Sequence, residues 1–319
     1  MTEAKNLTEV EPLRDRLAGA TKRDKEARST VVEYLWYLRK KGLKQSTITH
    51  YGKRLQRLMN LGVKLLNPEE VKGYLANNST WSERTKAICV TIYDGFTKFR
   101  GITWDAPRYK AVKKIPFLPL ETEIDQFICA CGRKLATFLQ VLKETGMRCG
   151  EAKQLDWIDI DFQRRLVSIT PEKGSNPRIL PISLKLIAML KNLPQESTKV
   201  FKATLGSIKA NLYITRKTVA RKLGNPRLLK IKFHTLRHWK GTMKYHKTKD
   251  ILHVQQVLGH RDIKSTMIYI HLEHALFITS NDEFHVKTAT TVTEACKLVE
   301  VGFEYITTMD KVQVYRKRK

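Results

Sequence analysis

The chain has 319 residues, too many for one small domain and about right for two. Its formal net charge is +28, an excess that repels itself unless a polyanion is the usual partner, so nucleic acid is the first candidate and an anionic membrane surface a weaker second. No apolar stretch approaches the length of a spanning helix, the first seventeen residues lack the apolar core of a secretory leader, and five cysteines form no CxxC pair, so we expect a cytoplasmic, nucleoid-associated protein with reduced thiols, no zinc and no membrane.

Residues 1–28 are charged and poorly patterned, and read as an arm with at most a short helix around Val10 to Leu17. From Ser29 the pattern turns helical, with Val32, Leu35 and Leu38 on one stripe and Gly42 as the stop. A second helix opens at Ser46 or Thr47 and places Ile48, Tyr51, Leu55 and Leu58 on one face. Asn67-Pro68-Glu69-Glu70 combines a cap, a first-turn proline and two acids at the positive helix end, so a third helix starts there. Ser82 opens a fourth, with Ile88, Ile92 and Phe96 inward. Residues 29–104 are thus predicted to be a small helical domain. Lys44, Lys53, Arg54, Arg57, Arg84 and Lys86 dot its polar faces and are candidates for phosphate contact. Residues 105–116, with two prolines and four basic residues, read as a basic linker.

A second domain is predicted over 117–279. It opens with helices over Glu121 to Cys131, where Thr122 is a possible cap, and over Lys134 to Thr145. Glycines flank Met147-Arg148-Cys149, so a tight crossing between helices aims Arg148 at a fixed point. The period then changes. Leu166 to Ile169 and Arg178 to Ile182 form a hairpin whose loop carries Lys173. Helices follow over Ser183 to Leu193 and within Ser207 to Leu223. In Phe233 to Leu272, His234 and Arg237 share a helix face, His238 follows, an apolar run ends at Gly259-His260, and Tyr269 lies nine residues on. Residues 280–319 read as a small basic β-α-β-β extension: a strand at His285 to Thr288, a helix at Thr293 to Val301, and strands at Phe303 to Thr307 and Val312 to Tyr315.

An arginine fork suits the oxygens of a phosphate, and a phenolate is a competent nucleophile once activated. Taken singly, each residue also has a structural reading. Arg148 suits a helix-terminal ion pair, Lys173 a solvated loop, His260 a helix C-cap and Tyr269 a core position.

The ordered set decides between them. TGMRCGEAKQLDWIDID resembles the first box of the tyrosine recombinases, the lambda-integrase-like and Xer-like site-specific recombinases. PEKGSNPRILPI resembles their hairpin lysine segment, HTLRH their His-x-x-Arg box, and LGHRDIKSTMIYIH the last box, with its histidine-to-tyrosine spacing. The resemblance covers about Phe117 to Leu272; the upstream helices resemble the family's core-binding domain by architecture, and the tail resembles extensions of integrases from archaeal viruses and plasmids.

The resemblance implies a mainly α fold with a small β-sheet (α+β): a helical SAM-like core-binding domain and a catalytic domain closing as a C-shaped clamp on double-stranded DNA. It implies strand cleavage and rejoining through a 3′-phosphotyrosyl link, without metal, ATP or other cofactor, in integration or excision of a mobile element. Tyr269 is then the nucleophile, Arg148 and Arg237 clamp phosphoryl oxygens, Lys173 is the general acid, and His234 and His260 serve the phosphate or the tyrosine's proton. Glu151 is expected to position Arg148 and its turn, His238 is read as structural, and His271 has no assigned role. A homotetramer is expected in the synaptic complex and a monomer or dimer when free, with the apolar stretch Ala275 to Ile278 a candidate for exchange between neighbours. The alternatives are a type IB topoisomerase and a DNA-binding regulator without catalysis.

Overall fold

The computed structural model describes residues 22–112, 114–172, 174–277 and 284–318, and the side chains of all of these except 22–25, 27, 284 and 318. Val10 to Leu17, Lys173 and Ile278 lie outside these residues. The chain divides into two compact units between Lys114 and Ile115, inside the predicted linker. Among the described residues no helix is long and apolar enough to cross a membrane.

The first unit is four helices: α1 (Lys22–Lys40), α2 (Gln45–Asn60), α3 (Pro68–Asn77) and α4 (Glu83–Arg100). α1 begins seven residues before Ser29. Lys, Arg and Glu are good helix formers without any apolar stripe, so periodicity misses this first stretch. Its buried stripe is Val31, Tyr34 and Leu38, one residue out of phase with the predicted one, because Val32 and Leu35 are only half-buried. α3 starts as expected, with Asn67 Oδ1 accepting from the Glu69 N–H at 3.2 Å. α4 is capped by Ser82, whose Oγ accepts from Thr85 N–H, and closes on Gly101 in the left-handed region. It turns Cys89, Ile92, Tyr93 and Phe96 inward, whereas Ile88 stays exposed. Tyr93 donates its hydroxyl to Leu65 O at 2.7 Å, which satisfies a polar atom in the middle of this core. The expected basic face is not uniform. Lys86 is buried, paired with Glu83 at 3.5 Å and lying over the Tyr109 ring, so it is a structural residue and not a phosphate contact. Arg54 and Arg57 both lie over Trp81.

The second unit is built on α5 (Glu121–Cys129), α6 (Arg133–Thr145) and α7 (Cys149–Gln154), a sheet of β1 (Ile160–Asp161), β2 (Leu166–Ile169) and β3 (Arg178–Pro181), and then α8 (Leu184–Lys191), α9 (Leu205–Lys222), α10 (Phe233–Thr248), α11 (Ile251–Leu258) and α12 (Ile268–Phe277). Thr122 is not the cap of α5. The helix begins at Glu121, and the Glu123 carboxylate reaches back to accept from Leu120 N–H at 2.8 Å. α6 is the central helix: from Leu135 to Thr145 every residue but Glu144 is buried. The charge on buried Lys143 is met by Asp125 at 2.8 Å and Glu121 at 3.0 Å. The sheet is antiparallel in the order β1-β2-β3, with Val167 opposite Leu180.

The C-terminal segment forms β4 (Phe284–Ala289), α13 (Val292–Glu300), β5 (Glu304–Met309) and β6 (Val312–Arg318), an antiparallel sheet in the order β4-β6-β5. The predicted β-α-β-β order is present, with longer strands. Asp310 and Lys311 both take positive φ, the tight turn that joins β5 to β6. Ala289, Ala295, Phe303 and Tyr315 form its own small core. The molecule is mainly helical with two small antiparallel sheets, the expected class.

Candidate active site

The site begins where α6 stops. Gly146 takes φ +65°, and a Cβ there would meet Leu258 Cδ2 at 2.8 Å and Lys240 Cγ at 3.0 Å, so glycine is required for both backbone and space. The chain re-enters a helix at once, with Arg148 at the N-cap of α7. Glu151, one turn in, accepts from Arg148 N–H at 2.8 Å and from its guanidinium Nη1 at 3.3 Å. The carboxylate is buried and also takes Ser175 Oγ at 2.6 Å and Arg178 Nη2 at 2.7 Å. Burial by itself would raise its pKa. The hydrogen bonds from Arg178, then Ser175, then the Arg148 N–H outweigh that and hold it at about 2. The turn that carries Arg148 is therefore fastened to the base of the β2–β3 hairpin.

Arg237 fastens a second pair of turns. It is 2% exposed, and donates through Nη1 to Gly146 O at 2.7 Å and through Nη2 to Leu258 O at 2.8 Å. Burial, and then the charge of Arg148, bring its pKa down to about 10. α11 ends in a Schellman turn: Gly259 is left-handed, its N–H donates to Gln256 O, and His260 N–H donates to Gln255 O at 3.0 Å. Asn176 N–H donates to Gly259 O at 3.0 Å, which ties this turn to the hairpin as well. His260 is thereby set just past the helix end, its Nδ1 2.9 Å from the hydroxyl of buried Thr266. Burial, then Arg237, Arg148 and Arg178, push its pKa down to about 3, so the ring is neutral at pH 7.

Tyr269 stands in the first turn of α12 and is 1% exposed. Its ring lies parallel to His260 within 7°, centroids 6.3 Å apart, and 6.0 Å from the His238 ring. Burial pushes the phenol up to about 12, against the opposing charges of Arg237 and Arg148. His234, in the first turn of α10, is the more open of the histidines. Desolvation of its ring, then Arg237 and Arg148, lower its pKa below the ordinary histidine value. Arg148, His234, Arg237, His260 and Tyr269 thus gather at one place, contributed by α7, α10, the turn after α11, and α12. Lys173 lies outside the described residues. A buried phenol and neutral imidazoles beside two guanidiniums make a site that favours an anion.

Residues 120–275 match the phage integrase family. The chain is 29% identical to tyrosine recombinase XerA of Pyrococcus furiosus over 77% of its length and 91% of that protein's. It is 26% identical to tyrosine recombinase XerD of Staphylococcus saprophyticus, over 80% of this chain and 98% of the relative. Over residues 120–275 the chain is a member of the phage integrase family, and its relatives are tyrosine recombinases. Its fold agrees. A lambda integrase dimer bound to a COC′ core site matches with a TM-score of 0.61 at 17% identity, over 80% of this chain and 97% of that one. XerH recombinase bound to its difH substrate matches with a TM-score of 0.56 at 20% identity, over 87% and 90%. The recombinase is accordingly an enzyme of site-specific DNA strand breaking and rejoining.

Several residues of the recombinase's site escaped the sequence reading. Arg178 is the strongest partner of Glu151 and has a side chain only 5% exposed; in sequence it is merely the arginine after the Lys-Gly turn. Ser175 and Thr266, which hold Glu151 and His260, are ordinary hydroxyls with no local signature. The structural reading of two residues holds. Tyr269 is a core tyrosine, packed with Val254, Leu258 and Leu272, and His260 ends a helix. His238, read as structural, has its pKa pushed down to about 4 by burial, then His234 and Arg237. His271 is exposed and takes no part.

Proposed function

We propose that this recombinase cleaves and rejoins double-stranded DNA at specific sites through a 3′-phosphotyrosyl link to Tyr269, in the integration or excision of a mobile element. The observation that carries the proposal is the convergence of Tyr269 with two arginines and two neutral histidines. A phosphodiester is already an anion, and attack on phosphorus adds charge to the non-bridging oxygens. Arg148 and Arg237 stabilise that charge from positions fixed before DNA arrives, because the turns beneath them are fastened. Tyr269 Oη forms the bond to phosphorus as the 5′ oxygen leaves. The phenol proton passes to His234 or to water, since an imidazole of lowered pKa is unprotonated at pH 7. Lys173 supplies the proton to the leaving 5′ oxygen. His260, accepting the Thr266 hydroxyl at Nδ1, carries its own proton on Nε2 and donates it as a hydrogen bond to a phosphoryl oxygen. Glu151 takes no part in the transfer and positions Arg148. The phosphotyrosyl link keeps the bond energy, so a 5′-hydroxyl from the same or another duplex reverses the step without a cofactor.

The recombinase binds double-stranded DNA, four protomers assemble on two paired sites, and the free protein is a monomer or dimer in the cytoplasm, associated with DNA. The relatives, tyrosine recombinases XerA and XerD, favour recombination over relaxation by a topoisomerase or silent DNA binding. A nicked suicide duplex tests the reading. The expected result is a covalent protein–DNA adduct that is absent in Tyr269→Phe, and exchange between two sites. Relaxation of supercoils without exchange, or no adduct on any site from the element's own DNA, counts against it.

A further inference from the structure

The proposed nucleophile sits in a space that a neighbouring helix leaves open. Gly241 lies on α10 opposite Tyr269, and a Cβ built there falls 2.6 Å from Cζ, 2.7 Å from Cε1 and 2.8 Å from Cε2 of the tyrosine ring. Real Cβ atoms do not approach three ring carbons so closely. Any other residue at 241 therefore excludes the ring from its position. Glycine within a helix is less stable than alanine, and Gly241 stands well inside α10, so its presence there calls for such a reason. The neighbour at Gly241 is a rigid ring that is itself buried.

The next turns of α12 are fastened to the same helix. Glu273, one turn beyond Tyr269, is buried and takes His246 Nδ1 at 2.9 Å and the Lys249 ammonium. Phe277, one turn further, stacks on His246 at 3.8 Å between centroids. Lys249 closes α10 in the left-handed region. Three successive turns of α12 are thus registered against α10 and its C-cap: ring on glycine, carboxylate on an imidazole and an ammonium, ring on imidazole.

We infer that Gly241 is the positioning residue that seats Tyr269 beside Arg148 and Arg237, and that Glu273 fixes the helix in that seat. The inference rests on the reading of Tyr269 as nucleophile. It also assigns Phe277, within the stretch expected to pass between neighbours, to an internal contact.

The test uses the full chain in two assays. In the first, melting temperature is measured for Gly241→Ala in the wild type and in a Tyr269→Ala background. The expected result is a change of sign: the substitution lowers the melting temperature when the ring is present and raises it when the ring is gone. The same shift in both backgrounds overturns the seat, and this readout needs no catalysis. The second is single-turnover cleavage of a nicked suicide duplex at saturating protein. Gly241→Ala is expected to form adduct at least 100-fold more slowly, and Glu273→Gln at least fivefold, each with DNA affinity within twofold of wild type. Wild-type cleavage rates in Gly241→Ala overturn the inference. If wild type itself forms no adduct, the nucleophile reading fails while the melting test still decides the seat.

Discussion

Glu151 is a buried carboxylate whose lone pairs are nearly all used, and the charge that balances it most directly is that of Arg178. Removing its charge leaves Arg178 buried with no strong partner, so Glu151→Gln is expected to cost about 3 to 5 kcal/mol in chemical denaturation. The pH dependence follows from the same group and from the histidines. The folded pKa of Glu151, about 2, lies below its ordinary 4.5, so its stabilisation is present above about 4.5 and is lost as pH falls towards 2. His260 and His238 are held neutral, with pKa values of about 3 and 4 against an ordinary 6.5. Below 6.5 the unfolded chain gains protons that the folded one refuses, and stability falls. Unfolding free energy should therefore decline from about pH 6.5 downward, with a shallower slope in His260→Gln. A flat profile between 6.5 and 4.5 contradicts these assignments. Thr266→Val removes one buried hydrogen bond, worth on the order of 1 kcal/mol, and with it the tautomer of His260. Cleavage should slow about fivefold with unchanged DNA affinity.

At the scale of elements, the site is a set of turns fastened to one another: α6 to α7, the hairpin base, and the end of α11. Arg237 holds the first and last through Gly146 O and Leu258 O. Gly146→Ala strains the left-handed turn and drives a methyl into Leu258, so it should destabilise the protein by about 1 to 3 kcal/mol and displace the carbonyl that Arg237 holds. Cleavage should suffer more than melting temperature predicts. What could be read from the sequence divides along the same line. Caps and turns are local, so Asn67-Pro68, Ser82, Gly146 and Gly259 marked element ends correctly. The ordered boxes brought forward the five residues that the structure gathers. What depends on pairs far apart in sequence was hidden. Glu151 lies three residues from Arg148 in sequence, but its stronger partner comes from the second strand of the hairpin. Gly241 gave no signal, because a glycine's reason is the ring on another helix. The phase error in α1 and the outward Ile88 arose where half-buried aliphatics make the helical stripe ambiguous.

For the whole molecule, charge is the dominant property. An excess of +28 on a chain that grips a polyanion makes affinity steeply salt-dependent. If 6 to 10 phosphates are neutralised, affinity should fall by roughly 10³ to 10⁵ between 50 and 200 mM salt. A titration with little salt dependence contradicts phosphate contact as the source of binding. The basic surface, however, serves any DNA-binding protein, and the claim particular to this one is chemical. It is tested most directly by isolating the adduct formed on a nicked suicide duplex, digesting it with protease, and identifying the residue and the DNA end that are joined. The expected product is a peptide containing Tyr269 linked through its phenolic oxygen to a 3′-phosphate, with a free 5′-hydroxyl on the other strand end. A link to any other residue, or to a 5′-phosphate, contradicts the account.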